Sequence, residues 1–121
     1  MSEPAKPLSA ARKRLPNRRP SENFSFELHG IRYHATLGRY PDGRPGEIFI
    51  SSHKAGSAAD VAARNAAIAI SFALQFGASL EDIGRAMSRS PNGMANGPIG
   101  LAIDLLAATC PPQPFEGARN D

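Results

Sequence analysis

The stretch His53–Gly77, HKAGSAADVAARNAAIAISFALQFG, decides how the rest of the chain is arranged. It opens as a basic, glycine-marked loop and continues from Ser57 as one long helix. Ser57 is a good N-cap, because its hydroxyl accepts from amides that the first turn leaves free, and Asp60 stands three positions on, where a capping box carries its acid. Alanine, the best helix former, fills much of the span to Phe76, and Gly77 ends it. Val61, Ile68, Phe72 and Phe76 recur on one side at helical spacing. Asp60, Arg64, Ser71 and Gln75 form a narrow polar stripe, with Asp60 and Arg64 an i,i+4 pair. Ile70 and Leu74 belong cleanly to neither. A helix apolar around most of its circumference packs on more than one side. The expectation is a central helix with a sheet on one flank and later helices on the other. Asn65 then lies buried among apolar positions, where its amide needs partners: it ties the helix to a loop or, as the other reading, holds a ligand.

Upstream, Asn23–His29 alternates, with Phe24, Phe26 and Leu28 on one face and polar residues on the other. Period two marks a half-buried strand. Ile31–Leu37 repeats the pattern with Ile31, Tyr33, Ala35 and Leu37, so a tight turn at His29–Gly30 makes a hairpin. Tyr40–Gly46, YPDGRPG, is turn chemistry, and EIFIS after it is a third strand. The three form an antiparallel meander, one face of which must be covered. Downstream, Ser79 caps a helix, SLEDIGRAMSR, whose acids lie early and whose arginines lie late, as the helix dipole favours. SPNGMANG is a loop, Pro98 starts a third helix, and Thr109–Pro112 stops it. The fold class is α+β: a three-stranded antiparallel meander packed on a long central helix plus two shorter helices, with disordered termini. Its domain is 23–110, between a disordered basic tail at 1–22 and a flexible tail at 111–121.

Charge is unevenly spread. Residues 1–22 hold six basic and two acidic side chains, the remainder eight and nine, so the high isoelectric point belongs to the tail. Four prolines and few large apolar groups leave that tail unable to offset its ordering entropy. One reading makes it a nucleic-acid arm with Arg12, Lys13, Arg14, Arg18 and Arg19 as the contacts; the other makes it a solubilising tail, since no aromatic residue is interleaved for base stacking. The one cysteine, Cys110, forms no intramolecular disulfide, and no apolar run approaches the ~20 residues that span a bilayer. A cytoplasmic protein without a membrane partner is expected.

No catalytic constellation is recognisable. The loop His53, Lys54, Gly56, Ser57 joins a cation and a glycine to the free amides of a helix N-terminus, which suits an anion; it reads equally as an ordinary strand-to-helix connection. His29, His34 and His53 carry no metal-ligand spacing, so no metal site is expected. Cys110, at a helix end before two prolines, reads as a packing residue.

Gly46–Ile50, Lys54–Ser57, the helix to Gly77, Ser79–Ile83 and Gly97–Leu105 together resemble the TSCPD domain, found at the C-terminus of adenosylcobalamin-dependent ribonucleotide reductases and as a free-standing small protein. Where the family's naming motif would lie, the chain reads Ala95-Asn96-Gly97-Pro98-Ile99, keeping only the proline. The resemblance implies a non-catalytic accessory or regulatory domain that binds a reductase, another protein partner or a nucleotide-like anion. A homodimer and a nucleic-acid-associated protein are the other readings. Adenosylcobalamin enters by family association and is not expected to be bound directly. Ribonucleotide reduction needs a radical thiol and a redox thiol pair, and one cysteine does not supply three thiols, so no activity is expected of the chain alone.

Overall fold

The computed structural model describes residues 11–109; Cys110 and both outer tails lie outside that range. Three strands, β1 (Ser21–Leu28), β2 (Ile31–Arg39) and β3 (Pro45–Ser52), form one antiparallel sheet in the order β1-β2-β3. Three helices follow: α1 (Ala58–Gln75), α2 (Leu80–Ala86) and α3 (Pro98–Thr109). The α+β class and the meander are as the alternation predicts.

The hairpin turns where expected. His29 and Gly30 both adopt positive φ, 52° and 79°, the pairing of a two-residue turn whose twist matches the strands. Register then places Phe24, Phe26 and Leu28 opposite Ala35, Tyr33 and Ile31, and Leu37 and Ala35 opposite Ile48 and Ile50. These side chains share one face and form the buried cluster, with Phe26 stacked on Tyr33 at 5.5 Å between centroids. Ile99, Ala102, Ile103 and Leu106 of α3 complete that cluster together with Ala63 and Ala67 of α1. The other face carries Asn23, Ser25, His34 and Thr36, which pair across strands: Thr36 donates to Asn23 at 2.6 Å, and Ser25 bonds His34 at 2.7 Å.

α1 departs from its expected seating. Asp60, Ser71 and Gln75 of the polar stripe are buried, whereas Val61, Ile68 and Phe72 are 46%, 49% and 44% exposed. Asn65 is exposed too, and its side-chain amide makes no hydrogen bond among the described residues, which corrects the expectation of a buried, partnered amide. The physical reason is the place where the helix sits. β3 is an edge strand, and the backbone groups of Gly46, Ile48 and Ser52 point away from β2. Ser71 Oγ accepts from the Ile48 amide and donates to the Ile48 carbonyl, both at 2.9 Å. Gln75 Nε2 donates to the Gly46 carbonyl at 3.0 Å, and the Ser52 amide donates to Asp60 Oδ1 at 2.7 Å. α1 runs antiparallel to β3 and replaces a fourth strand with side-chain hydrogen bonds, closing an edge that would otherwise invite pairing. Between those bonds it presents Ala63 and Ala67, small enough to let helix and strand approach.

Residues 11–20 also differ from a disordered arm. The Lys13 amide donates to the Gln75 carbonyl at 2.8 Å, and the Tyr40 hydroxyl donates to the Lys13 carbonyl. Leu15 packs where a Cβ at Gly46 would fall 2.9 Å from its methyl group, and the Arg39 amide donates to the Pro20 carbonyl at 2.9 Å. The inner arm is therefore a belt from the C-terminal end of α1 to the start of β1, and the ordered unit begins well before residue 23.

Candidate functional site

The loop from Ser52 to Ser57 is built around one carboxylate. Ser57 takes an extended conformation as N-cap, accepts from the Asp60 amide at 3.2 Å and donates to the Lys54 carbonyl at 2.8 Å. The hydroxyl of Ser52 donates to the Lys54 carbonyl and accepts from the Lys54 amide, both at 3.2 Å. Gly56, at φ 79°, turns its amide onto Asp60 Oδ2 at 2.9 Å, and Arg64 Nε donates to the same oxygen at 2.9 Å. Asp60 is 1% exposed. The Ser52 amide, the Gly56 amide and then Arg64 hold its carboxyl at about 2, below the usual carboxylate range and against the opposing effect of burial.

This arrangement brings Gly56, Ser57 and the Lys54 backbone together and leaves the side chains of His53 and Lys54 to one side. His53 Nδ1 accepts from the Arg32 amide at 3.2 Å, back on β2, and Lys54 is exposed. The Gly56 amide, which an external anion would use, is already engaged by a resident anion, Asp60. Sequence reasoning found the cap and missed this role. The usable signal was an acid four residues after a glycine that can turn its amide inward.

Of the five arm cations, three are spent on the fold. Arg12 Nε donates to Gln75 Oε1 at 2.5 Å, and its guanidinium lies 4.2 Å over the Phe72 ring. Lys13 lies 5.4 Å over the Tyr40 ring, and Arg19 pairs with the carboxylate of Glu47. Arg14 and Arg18 are exposed and have no partner among the described residues.

The segment Ala95–Ile99 lies where a loop hands over to α3. Ala95 is buried and bridges Arg89, whose guanidinium also holds Asp104 of α3 at 2.8 Å. A Cβ at Gly97 would meet open space, so a side chain is sterically acceptable there although this chain has none. Among the described residues, no group of three or more His, Cys, Asp or Glu is placed to hold a metal ion, and no helix is long and apolar enough to cross a membrane.

Sequence comparison relates the chain to known proteins. The sequence profile of the TSCPD domain matches residues 8–113. A vitamin B12-dependent ribonucleotide reductase of Agrobacterium fabrum is 40% identical over 93 residues, 74% of this chain and 7% of that protein. Its counterpart in Rhodopirellula baltica is 42% identical over 72 residues, 60% of this chain and 7% of that protein. The one in Streptantibioticus cattleyicolor is 40% identical over 93 residues, 77% of this chain and 15% of that protein. The chain thus spans a small fraction of these relatives. No solved structure matches.

Proposed function

The chain belongs to the TSCPD domain family, and from that premise we propose that it is a non-catalytic accessory domain that binds a protein partner, a B12-dependent ribonucleotide reductase being the first candidate. One observation carries the reading: about 40% identity to such reductases is kept across a stretch that is only 7% of the Agrobacterium protein. A module of this size is a small part of those enzymes, and the single cysteine of this chain does not furnish the thiols of the reaction. A cytoplasmic setting goes with that partner. Adenosylcobalamin enters only through the partner. No direct cobalamin site is proposed.

The test is a pull-down with the full chain immobilised and a purified B12-dependent reductase in solution, followed by reductase turnover with and without the chain. Retention together with altered turnover is the expected result. No retention and unchanged turnover would sink the reading. The anion-binding alternative at Lys54–Ser57 is disfavoured because Asp60 occupies the inward amide donor. The nucleic-acid alternative keeps Arg14 and Arg18 as its free cations. It predicts DNA retention at low salt that declines with added salt and is lost in the Arg14→Ala/Arg18→Ala double variant.

A further inference from the structure

The sheet has two edges, and the fold treats them differently. The edge of β3 is closed by bonds to Asp60, Ser71 and Gln75 of α1. The edge of β1, which ends the order β1-β2-β3, has no such cover among the described residues. Its hydrogen-bonding phase follows from its neighbours: the Arg39 amide donates to the Pro20 carbonyl, and the Arg32 carbonyl turns the other way, to the His53 amide. Alternate residues of an antiparallel ladder bond to opposite sides. Glu22, Phe24, Phe26 and Leu28 therefore bond β2, and the amides and carbonyls of Ser21, Asn23, Ser25 and Glu27 point outward. Over its eight residues β1 lacks the usual guards of an edge: it has no proline, no lysine and no bulge against β2. We propose that β1 pairs antiparallel with β1 of a second copy of this chain, joining two three-stranded sheets into one.

Closure selects that partner. A lone foreign strand added to β1 passes the open edge to its own far side, whereas two copies of β1 close each other. Because α1 already closes β3, the joined sheet ends in a helix at both edges and grows no further. The strand is also complementary to itself. About a two-fold axis at Phe24, Ser21 faces Glu27 of the second copy and Asn23 faces its Ser25, so every outward amide and carbonyl gains a partner. Glu22 faces Phe26 of the second copy, so no two like charges meet. The same axis sets half-buried Phe24 opposite its own equivalent on the core side, at a position without ladder bonds, where facing side chains come closest. It thereby lengthens the aromatic row in which Phe24 lies 6.1 Å from Phe26. The chain outside the described residues offers no rival strand. Pro4 and Pro7 in 1–10, and Pro111, Pro112 and Pro114 in 110–121, leave no proline-free run as long as β1.

The contact is an edge and not a face, which sets its strength. Its hydrogen bonds replace bonds to water, so each adds little net, and Phe24 is the one large apolar group at the axis. Pairing is therefore reversible and dependent on concentration.

Sedimentation equilibrium and amide hydrogen exchange of the full chain over a dilution series test the inference. The mass should move from one chain towards two as concentration rises, and the amides of Asn23, Ser25 and Glu27 should exchange more slowly in step with it. Ser25→Pro removes one outward amide per copy and no ladder bond to β2, and should weaken pairing about tenfold or more. Ser25→Ala, which loses the same side-chain bond to His34, should leave pairing unchanged. Phe24→Lys sets two ammonium groups opposite each other at the axis and should remove the two-chain species. If Ser25→Pro does not fold, Phe24→Lys and the exchange pattern of the unaltered chain decide. A single-chain mass at every concentration overturns the inference. So does a dimer in which those three amides exchange no more slowly, or one indifferent to a folded Ser25→Pro. A single-chain mass with those amides slowed only by added reductase also overturns it, and assigns the edge to the foreign partner. Reductase retention that survives Ser25→Pro, alongside loss of the dimer, supports it and leaves the proposed function standing.

Discussion

On α1 the side turned to β3 carries Asp60, Ser71 and Gln75, and the side turned to solvent carries Val61, Ile68 and Phe72. A surface helix ordinarily places such groups the other way round. The difference shows what each neighbour demands. A sheet face asks for apolar contact, and α3 supplies it with Ile99, Ile103 and Leu106. A sheet edge presents unpaired amides and carbonyls, and leaving such groups buried without partners costs more than a lost apolar contact regains. α1 serves the edge, so its polar stripe is its inward stripe.

Breaking the inward side should be costly, and Asp60→Ala is expected to have the largest effect. It strips the Ser52 amide, the Gly56 amide and Arg64 of their acceptor at one stroke. Urea denaturation should show a lower midpoint than for Ser71→Ala, Gly46→Ala or Ile68→Glu. The same group gives a pH signature. Its folded value of about 2 lies below the ~3.9 of an unfolded aspartate. Its stabilisation is therefore complete above the unfolded value and is lost as pH falls from about 4 through about 2. Asp42, held low by the Arg44 amide and guanidinium, and Asp104, held low by Arg89, add to acid sensitivity in the same direction. Asp60→Asn should flatten part of the decline in urea midpoint across that range; an unchanged slope would remove Asp60 from the account.

Ser71→Ala comes next. It keeps the helix and leaves the Ile48 amide and carbonyl without partners, at a cost of about 2 kcal/mol in urea denaturation. A loss under about 0.5 kcal/mol, the range of a plain surface substitution, would mean that Ser71 does not seal the edge.

Gly46→Ala tests the belt that joins the inward side to the arm. An added Cβ would fall 2.7 Å from the Tyr40 ring and 2.9 Å from Leu15, contacts that force one of them to move. We expect a loss of about 1–2 kcal/mol, as overpacking costs, and faster tryptic cleavage at Arg12–Arg19. Cleavage at the unaltered rate would show that the belt does not depend on Leu15.

Much of this fold is legible in the sequence because its signals are local. His29–Gly30 specifies its turn, strand alternation specifies the buried face, and Ser57 and Ser79 cap their helices by bonds to residues three positions on. The illegible parts are decided by contacts distant in sequence. Periodicity finds both stripes of α1 and cannot say which one meets an edge strand 23 residues away. Composition makes 11–20 read as an arm, because Arg12, Leu15 and Arg19 look unremarkable until Gln75, Gly46 and Glu47 are set beside them. At the candidate site the cap was readable. The carboxylate that takes the loop's inward amide was not, because an aspartate at that position reads as a capping acid and its reach to Ser52 is a tertiary fact.

The outward side supplies the smallest expected effect and the sharpest contrast. Ile68 is about half exposed, so replacing it with glutamate removes little buried surface and adds a charge already in water. Its change in unfolding free energy should stay within about 0.5 kcal/mol in urea denaturation. Ile68→Glu and Ser71→Ala lie three residues apart on one helix. By hydrophobicity alone the isoleucine change should be the more damaging. If the order is reversed as expected, stability in this helix follows its bonds to β3 and not the apolarity of its outer side.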